Sequence, residues 1–424
     1  MAKTITGKQV GDSYYQVEHP SGLTVLLYPK EHCSTTYAIF GTRYGSIDNC
    51  FQRSDEAGPE SVPEGIAHYL EHKLFESEEG DAFERFSKTG ASANAFTSFE
   101  STCYLFSTTD QVYQSLEILL DFVQSPHFTE ETVRKEQGII GQEIKMYDDD
   151  PQWRVMFNYL KAMYHSHPIR EDIAGTVESI AKITPELLYR CYNTFYNLGN
   201  MVLAIAGNFQ VDKALAVCDK MLKPAAPVTV QRVFPQEPDT IVQPVVEERL
   251  SVASPLFQFG FKEPGADQPR SEKDVAATEV LLETLASDAS PLFRQLLDQG
   301  LVNESSFSYE YFEGNGYATV MFSGESKDPQ AVAQAILEEV ERFQREGIPA
   351  EAFERSKRAL YGELVAALNS TGSIANGLVN MHLKGRELFT YIDSLASLRL
   401  EDGEERLRKV FQRERSVLSV ILPH

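Results

Sequence analysis

The sequence predicts a duplicated fold, two copies of one unit that mixes strands with helices. Three observations carry that prediction. One order of elements occurs twice, short segments match at a nearly constant spacing, and a proline-rich stretch separates the two runs. The boundaries expected are 1–223 for the first repeat, 224–244 for the linker and 245–424 for the second repeat.

The first run begins with strands over residues 23–28 and 37–40, followed by a helix over 64–75. A strand pair spans 93–99 and 102–107, with polar Glu100 and Ser101 at the join. Helical segments come next, one of them from about residue 129 to 146. Residues 201–206 read as a buried strand ended by Gly207, and Val211, Leu215, Cys218 and Leu222 then mark one face of a helix. Pro224, Pro227, Pro235, Pro238 and Pro244 follow. Proline has no N–H to pair, so a linker with at most short extended pieces is expected.

The order then restarts with a strand at 256–261 and a helix at 275–285. Ser290 is placed to cap a helix that has Pro291 at its first position and reaches about Leu297. Strands 306–312 and 317–323 turn through Glu313-Gly314-Asn315-Gly316, two helices follow, and a strand at 416–422 closes the chain. Residues 128–133 resemble 348–353 at an offset of 220, at which Glu143 falls on Glu363 and Glu136 on Ser356. Phe106-Ser107 falls on Phe322-Ser323 at an offset of 216, which carries His68 and His72 to Thr284 and Asp288. The second repeat is therefore expected to lack a metal site.

Composition narrows the function classes. With 424 residues, 42% of them hydrophobic, the chain holds enough apolar material for more than one core. A formal net charge of -23 repels phosphate backbones and anionic lipid, which argues against nucleic acid or acidic membranes as partners. The five cysteines are scattered and form no Cys-x-x-Cys, as expected for a reducing compartment. No apolar run approaches the ~18 residues of a membrane helix, and the first twenty residues hold no signal-peptide core. A cytoplasmic location is expected.

The chemistry concentrates in Gly65-Ile-Ala-His68-Tyr-Leu-Glu71-His72. On a helix, positions i and i+4 share a face, so His68 and His72 can present two imidazoles to one cation. Glu71 lies beside them, able to reach a metal-bound water without ligating the metal. His-x-x-Glu-His is the inverted form of the zinc-peptidase signature.

A catalytic zinc needs a third protein ligand, and the helix over 129–146 is the best source. Thr129 is a candidate N-cap, and Val133, Ile139, Ile140 and Ile144 give the helix core-facing character. Glu136 and Glu143, seven apart, share one face, and carboxylates on an apolar face require partners. Spacing leaves open which of the two binds the metal. The plain alternative is that both make surface ion pairs with Arg134 or Lys135. Elsewhere the signals are bland. His165 and His167 flank a loop entry before Pro168, and Asp148-Asp149-Asp150 reads as a helix end stopped by Pro151.

His68-Tyr-Leu-Glu71-His72, then Gly90-Ala-Ser-Ala-Asn94-Ala95-Phe96-Thr97-Ser98, then Glu136 through Glu143 together resemble the pitrilysin/insulinase family of zinc peptidases, in its short bacterial branch related to mitochondrial processing peptidase. The resemblance implies an α+β fold: two homologous repeats, each a mostly antiparallel sheet flanked by helices, enclosing a chamber. It implies one zinc per chain held by His68, His72 and Glu143, with Glu71 as general base and Glu136 orienting a ligand histidine. It also implies that Asn94, Ala95, Phe96 and Thr97 form an edge strand that binds the substrate backbone.

Two departures stand out. Lys73 follows the second histidine where many relatives carry methionine. The family's arginine–tyrosine pair, seven apart in the second half, has no match: Arg294 leads to Leu301. The activity implied is endopeptidase cleavage of short or unfolded peptides, in a homo- or heterodimer whose related subunit supplies the missing pair. A non-catalytic peptide-binding subunit of a processing complex is the alternative.

Overall fold

The structure is a computed structural model that describes residues 2–77, 80–265 and 268–424. Its first sheet holds seven strands: β1 (Lys3–Thr6), β2 (Ser13–Glu18), β3 (Thr24–Pro29), β4 (Thr36–Thr42), β5 (Ser92–Thr97), β6 (Thr102–Thr108) and β7 (Met201–Gly207). They lie in the order β1-β2-β3-β7-β4-β6-β5. Its second sheet holds β8 (Val245–Leu250), β9 (Leu256–Lys262), β10 (Ser308–Gly314), β11 (Tyr317–Glu325) and β12 (Ser416–Pro423), in the order β8-β12-β9-β11-β10.

The two orders are the same once β1 and β2 are set aside. β7 runs parallel to β3 and antiparallel to β4, as β12 runs parallel to β8 and antiparallel to β9. The other pairings in both sheets are antiparallel. The central strands β7 and β9 are buried along their whole length, which accounts for the unbroken apolar run of β7 in sequence, while β9 buries the polar Gln258 and Lys262 as well. β5 and β10 are edges.

The helices that matter are α1 (Ile66–Leu74), α2 (Glu130–Asp148), α3 (Pro151–Met163), α4 (Ala350–Ala367) and α5 (Thr371–Leu383). The chain forms two compact units. The first collects residues up to 144, 171–233 and 365–390; the second collects 145–170, 234–364 and 391–424. Each unit thereby takes a helix from the other half of the chain. α5 packs on β7 and β4 in the first unit, and α3 packs on the equivalent β12 and β9 in the second.

Several local readings change. Asp148 ends α2, but Pro151 opens α3 directly, with Asp150 capping it by accepting from the N–H groups of Gln152 and Trp153. Proline costs nothing at a first helical position, where its missing N–H would be unpaired anyway. Five helices, not two, separate β11 from β12 among the described residues. Their breaks are short and carry Gly347, Ser370 and Gly385. Ile139 is 49% exposed and lies outside the core, because α2 turns Val133, Glu136, Ile140 and Ile144 inward instead. The proline-rich stretch is as expected, with one short extended piece, Val230–Arg232, paired with Cys50–Arg53.

Candidate metal centre

α1 is buried on nearly every side, with Ile66, Ala67, Tyr69, Leu70 and Leu74 packed away from solvent. Its start is set by Gly65, whose φ of 84° is open to glycine and strained for other residues. A Cβ there would also lie 2.3 Å from the Ala174 carbonyl oxygen. Ser179 Oγ donates to the Glu64 carbonyl at 2.9 Å and fixes the same approach. Tyr69 donates its hydroxyl to the Val133 carbonyl and so ties α1 to α2. α2 is capped by Thr129, whose Oγ1 accepts from the Thr132 N–H at 3.2 Å.

The two helices bring together three of the expected ligands. His68 Nε2 lies 3.7 Å from Glu143 Oε1, and His72 Nε2 lies 3.5 Å from Glu143 Oε2. The ligand atoms of His68, His72 and Glu143 all fall within 4.8 Å of one another. These separations are long for direct hydrogen bonds. They suit a shared ion, since neighbouring ligand atoms on a tetrahedral zinc sit roughly 3.3 Å apart for bonds of about 2.0–2.1 Å. The donor set, two imidazoles and one carboxylate, is one that zinc accepts.

Protonation fits as well. Burial, helped by the neighbouring His72, pushes His68 down to about 4, so its imidazole is neutral at pH 7 with a lone pair to offer. Its Nδ1 is buried with no hydrogen-bond partner among the described residues. His72 is different. Burial lowers it, but the Glu136 hydrogen bond and the charges of Glu143 and Glu71 outweigh that and leave it raised. His72 Nδ1 meets Glu136 Oε1 at 3.0 Å, so the ring donates there and turns Nε2 toward Glu143. Glu136 itself is only 7% exposed.

Glu71 stands beside this group on α1. Burial raises its carboxyl, and the repulsion of Glu143 adds to that, while a hydrogen bond from Thr97 opposes it. Thr97 Oγ1 donates to Glu71 Oε2 at 2.6 Å. That contact went unread in the sequence, where Thr97 figured only as part of an edge strand. Asn94, Ala95, Phe96 and Thr97 do lie on β5, the terminal strand of the first sheet, and β5 pairs on one side with β6.

The other singled-out histidines have structural partners. His167 is buried, with Nε2 at 2.9 Å from the Asn315 carbonyl and Nδ1 accepting from the Ile169 N–H. His165 Nε2 faces Thr240 Oγ1. Glu363 is exposed on α4.

Comparison with known proteins identifies the family. The family description "Insulinase (Peptidase family M16)" matches residues 60–177, and "Peptidase M16 inactive domain" matches 182–360. The chain is 39% identical over the full length of both chains to a Bacillus subtilis protein named "Uncharacterized zinc protease YmfH". It is 24% identical to the probable mitochondrial-processing peptidase subunit beta of Arabidopsis thaliana, covering 77% of this chain and 63% of that one. The crystal structure of a putative M16-like peptidase from Alicyclobacillus acidocaldarius superimposes with a TM-score of 0.92 at 36% identity, covering 100% of this chain and 98% of that one. The chain belongs to the insulinase family of peptidases, family M16, in the branch that includes mitochondrial processing peptidase.

Proposed function

We propose that the chain is a zinc-dependent endopeptidase that cleaves short or unfolded peptides. The observation that carries this reading is the convergence of His68, His72 and Glu143, from two helices far apart in sequence, with Glu71 beside them. Bound by these three side chains, one zinc per chain would polarise a substrate carbonyl and acidify a water molecule. Glu71 takes a proton from the attacking water and delivers it to the leaving amine nitrogen. Glu136 holds His72 in the tautomer that leaves Nε2 free. The free side of β5, at Asn94, Ala95, Phe96 and Thr97, pairs with the backbone of an extended peptide, which gives affinity without side-chain specificity.

The chain works as a dimer, and the lack of an arginine–tyrosine pair at Arg294 and Leu301 favours a heterodimer with a related subunit that supplies it. A relative named as a processing-peptidase subunit supports the same reading. No described helix is long and apolar enough to cross a membrane, which is compatible with action in the cytoplasm.

The test is Glu71→Gln, assayed with a peptide library with and without a partner chain. The variant keeps one zinc per chain and loses turnover by roughly 10²- to 10⁴-fold. Full activity in that variant refutes the mechanism. A second reading, a peptide-binding subunit without its own catalysis, draws support from the missing pair and from the "inactive domain" match over 182–360. It predicts peptide binding with no cleavage in either assembly.

A further inference from the structure

Thr97 carries one hydroxyl hydrogen, and two acceptors lie near it. Glu71 Oε2 is 2.6 Å away and Thr102 Oγ1 is 3.4 Å away. The Thr102 hydroxyl donates to the Tyr44 carbonyl at 2.9 Å, so its own hydrogen is engaged elsewhere. The 2.6 Å contact falls in the range of a hydroxyl donating to a carboxylate. The Thr97 hydrogen therefore points at Glu71 Oε2.

The strand end that presents this hydroxyl is fixed. Thr97 is the last residue of β5 and lies opposite Thr102 of β6. The turn beyond it is closed by the Ser98 N–H on the Ser101 carbonyl at 2.8 Å and by the Ser101 N–H on Ser98 Oγ at 3.1 Å. A carboxylate oxygen that accepts from a rigid donor is held in place and made less basic, which leaves the other oxygen, here Oε1, the better acceptor for a proton from water.

We propose that Thr97 is a positioning residue for Glu71, which engages Oε2 and so reserves Oε1 for proton transfer. This rests on the reading of Glu71 as the base. It gives the Thr97 side chain a role separate from that of the strand backbone in holding peptide. Thr97→Val keeps the shape and removes the donor, whereas Thr97→Ser keeps the donor and removes a methyl group.

In peptide cleavage, Thr97→Val lowers kcat by roughly 10- to 100-fold with KM within about twofold and zinc content unchanged. Thr97→Ser stays within about threefold of the unsubstituted chain. A binding measurement separates a role through Glu71 from loss of packing. The probe is a tripeptide hydroxamate, which chelates zinc and shares a proton with the base, titrated into the zinc-loaded chain. Thr97→Val weakens its binding by about fivefold or more when Glu71 is present, and has no effect in the Glu71→Ala background. Equal losses in both backgrounds, or no loss with Glu71 present, overturn the proposal. The two readings fail separately. An unsubstituted chain that cleaves nothing with or without a partner chain while the binding cycle holds sinks the peptidase reading alone, and active cleavage with additive binding losses sinks the Thr97 role alone.

Discussion

Lys73 follows the second histidine of the motif, and its side chain is fully buried. Its ammonium donates to Glu76 Oε2, while Lys135, beside Glu136 on α2, donates to Glu76 Oε1 at 3.1 Å. Glu76 thus links the helix that carries His68 and His72 to the helix that carries Glu136 and Glu143. Glu76→Gln leaves the Lys73 charge buried opposite a neutral amide. Breaking a fully buried pair costs about 3–5 kcal/mol. The Glu76 side chain retains 34% of its exposure, so a smaller loss, roughly 1–3 kcal/mol, is expected. Lys73→Met removes the charge, keeps an unbranched chain of similar length, and stays within about 1 kcal/mol of the unsubstituted chain or gains stability.

Thermal melting of the zinc-free chain at pH 7 is the assay. Glu76→Gln lowers the midpoint of the first unit by roughly 3–8 °C and Lys73→Met does not. The sign with pH follows from Glu76. Burial alone raises its carboxyl, but hydrogen bonds from Lys73 and Lys135 outweigh that and leave it below the ordinary range. A depressed carboxyl contributes stability above its unfolded pKa of about 4.3 and loses it as pH falls through the folded value. The gap between Glu76→Gln and the unsubstituted chain therefore closes below about pH 4. A Lys73→Met variant less stable than Glu76→Gln refutes the reasoning, as does a Glu76→Gln variant that melts like the unsubstituted chain.

Four further outcomes are expected. Glu136→Gln weakens zinc binding by roughly 10- to 100-fold in chelator competition, with the zinc-free melting point unchanged by more than a few degrees, because Glu136 contacts His72, one of the proposed ligands. Glu237 is held at about 2, where burial is outweighed by the Lys262 hydrogen bond and the His165 and Ser166 N–H groups. Glu237→Gln accordingly destabilises the chain at pH 7, and the difference fades in melts taken between about pH 4.3 and 2. Gly65→Ala, with its φ of 84° and its 2.3 Å approach to Ala174, costs at least about 2 kcal/mol and weakens zinc binding. Gly138→Ala on α2 meets nothing within 4 Å and is neutral or stabilising by up to about 1 kcal/mol in the same denaturation assay.

The part of the centre that a helix repeat determines was legible in the sequence. His68 and His72 are four apart and Glu136 and Glu143 seven apart, so each pair had to share a face. Which glutamate meets the imidazole Nε2 atoms was not legible from spacing, because it depends on where α2 crosses α1. The long-range bond from Tyr69 to Val133 joins the two helices at that crossing. Ile139 misled for a related reason. Composition marks a residue as apolar, but the packing partner decides whether it is covered. The exchange of α3 and α5 also left no mark in sequence. An amphipathic helix that fits one sheet fits a second sheet of the same strand order, and local pattern does not choose between them.

The duplication separates what the scaffold needs from what the chemistry needs. α2 and α4 stand 220 residues apart, as do α3 and α5, and the strand orders of the two sheets agree. At the positions that match the metal centre, the second unit has made inert choices. Thr284, opposite His68 in the alignment, donates its hydroxyl to the Val280 carbonyl within its own helix. Asp288 and Glu363 face solvent, and the position of Glu136 is the small buried Ser356. The same architecture thus closes with every one of these polar groups either exposed or small. In the first unit, by contrast, a glutamate at 7% exposure is kept against a half-buried histidine, and a second buried histidine leaves one nitrogen without a partner. Burying such groups works against folding unless something compensates. Because the second unit reaches the same fold without them, folding alone does not call for the arrangement in the first, and that supports the proposed ion site.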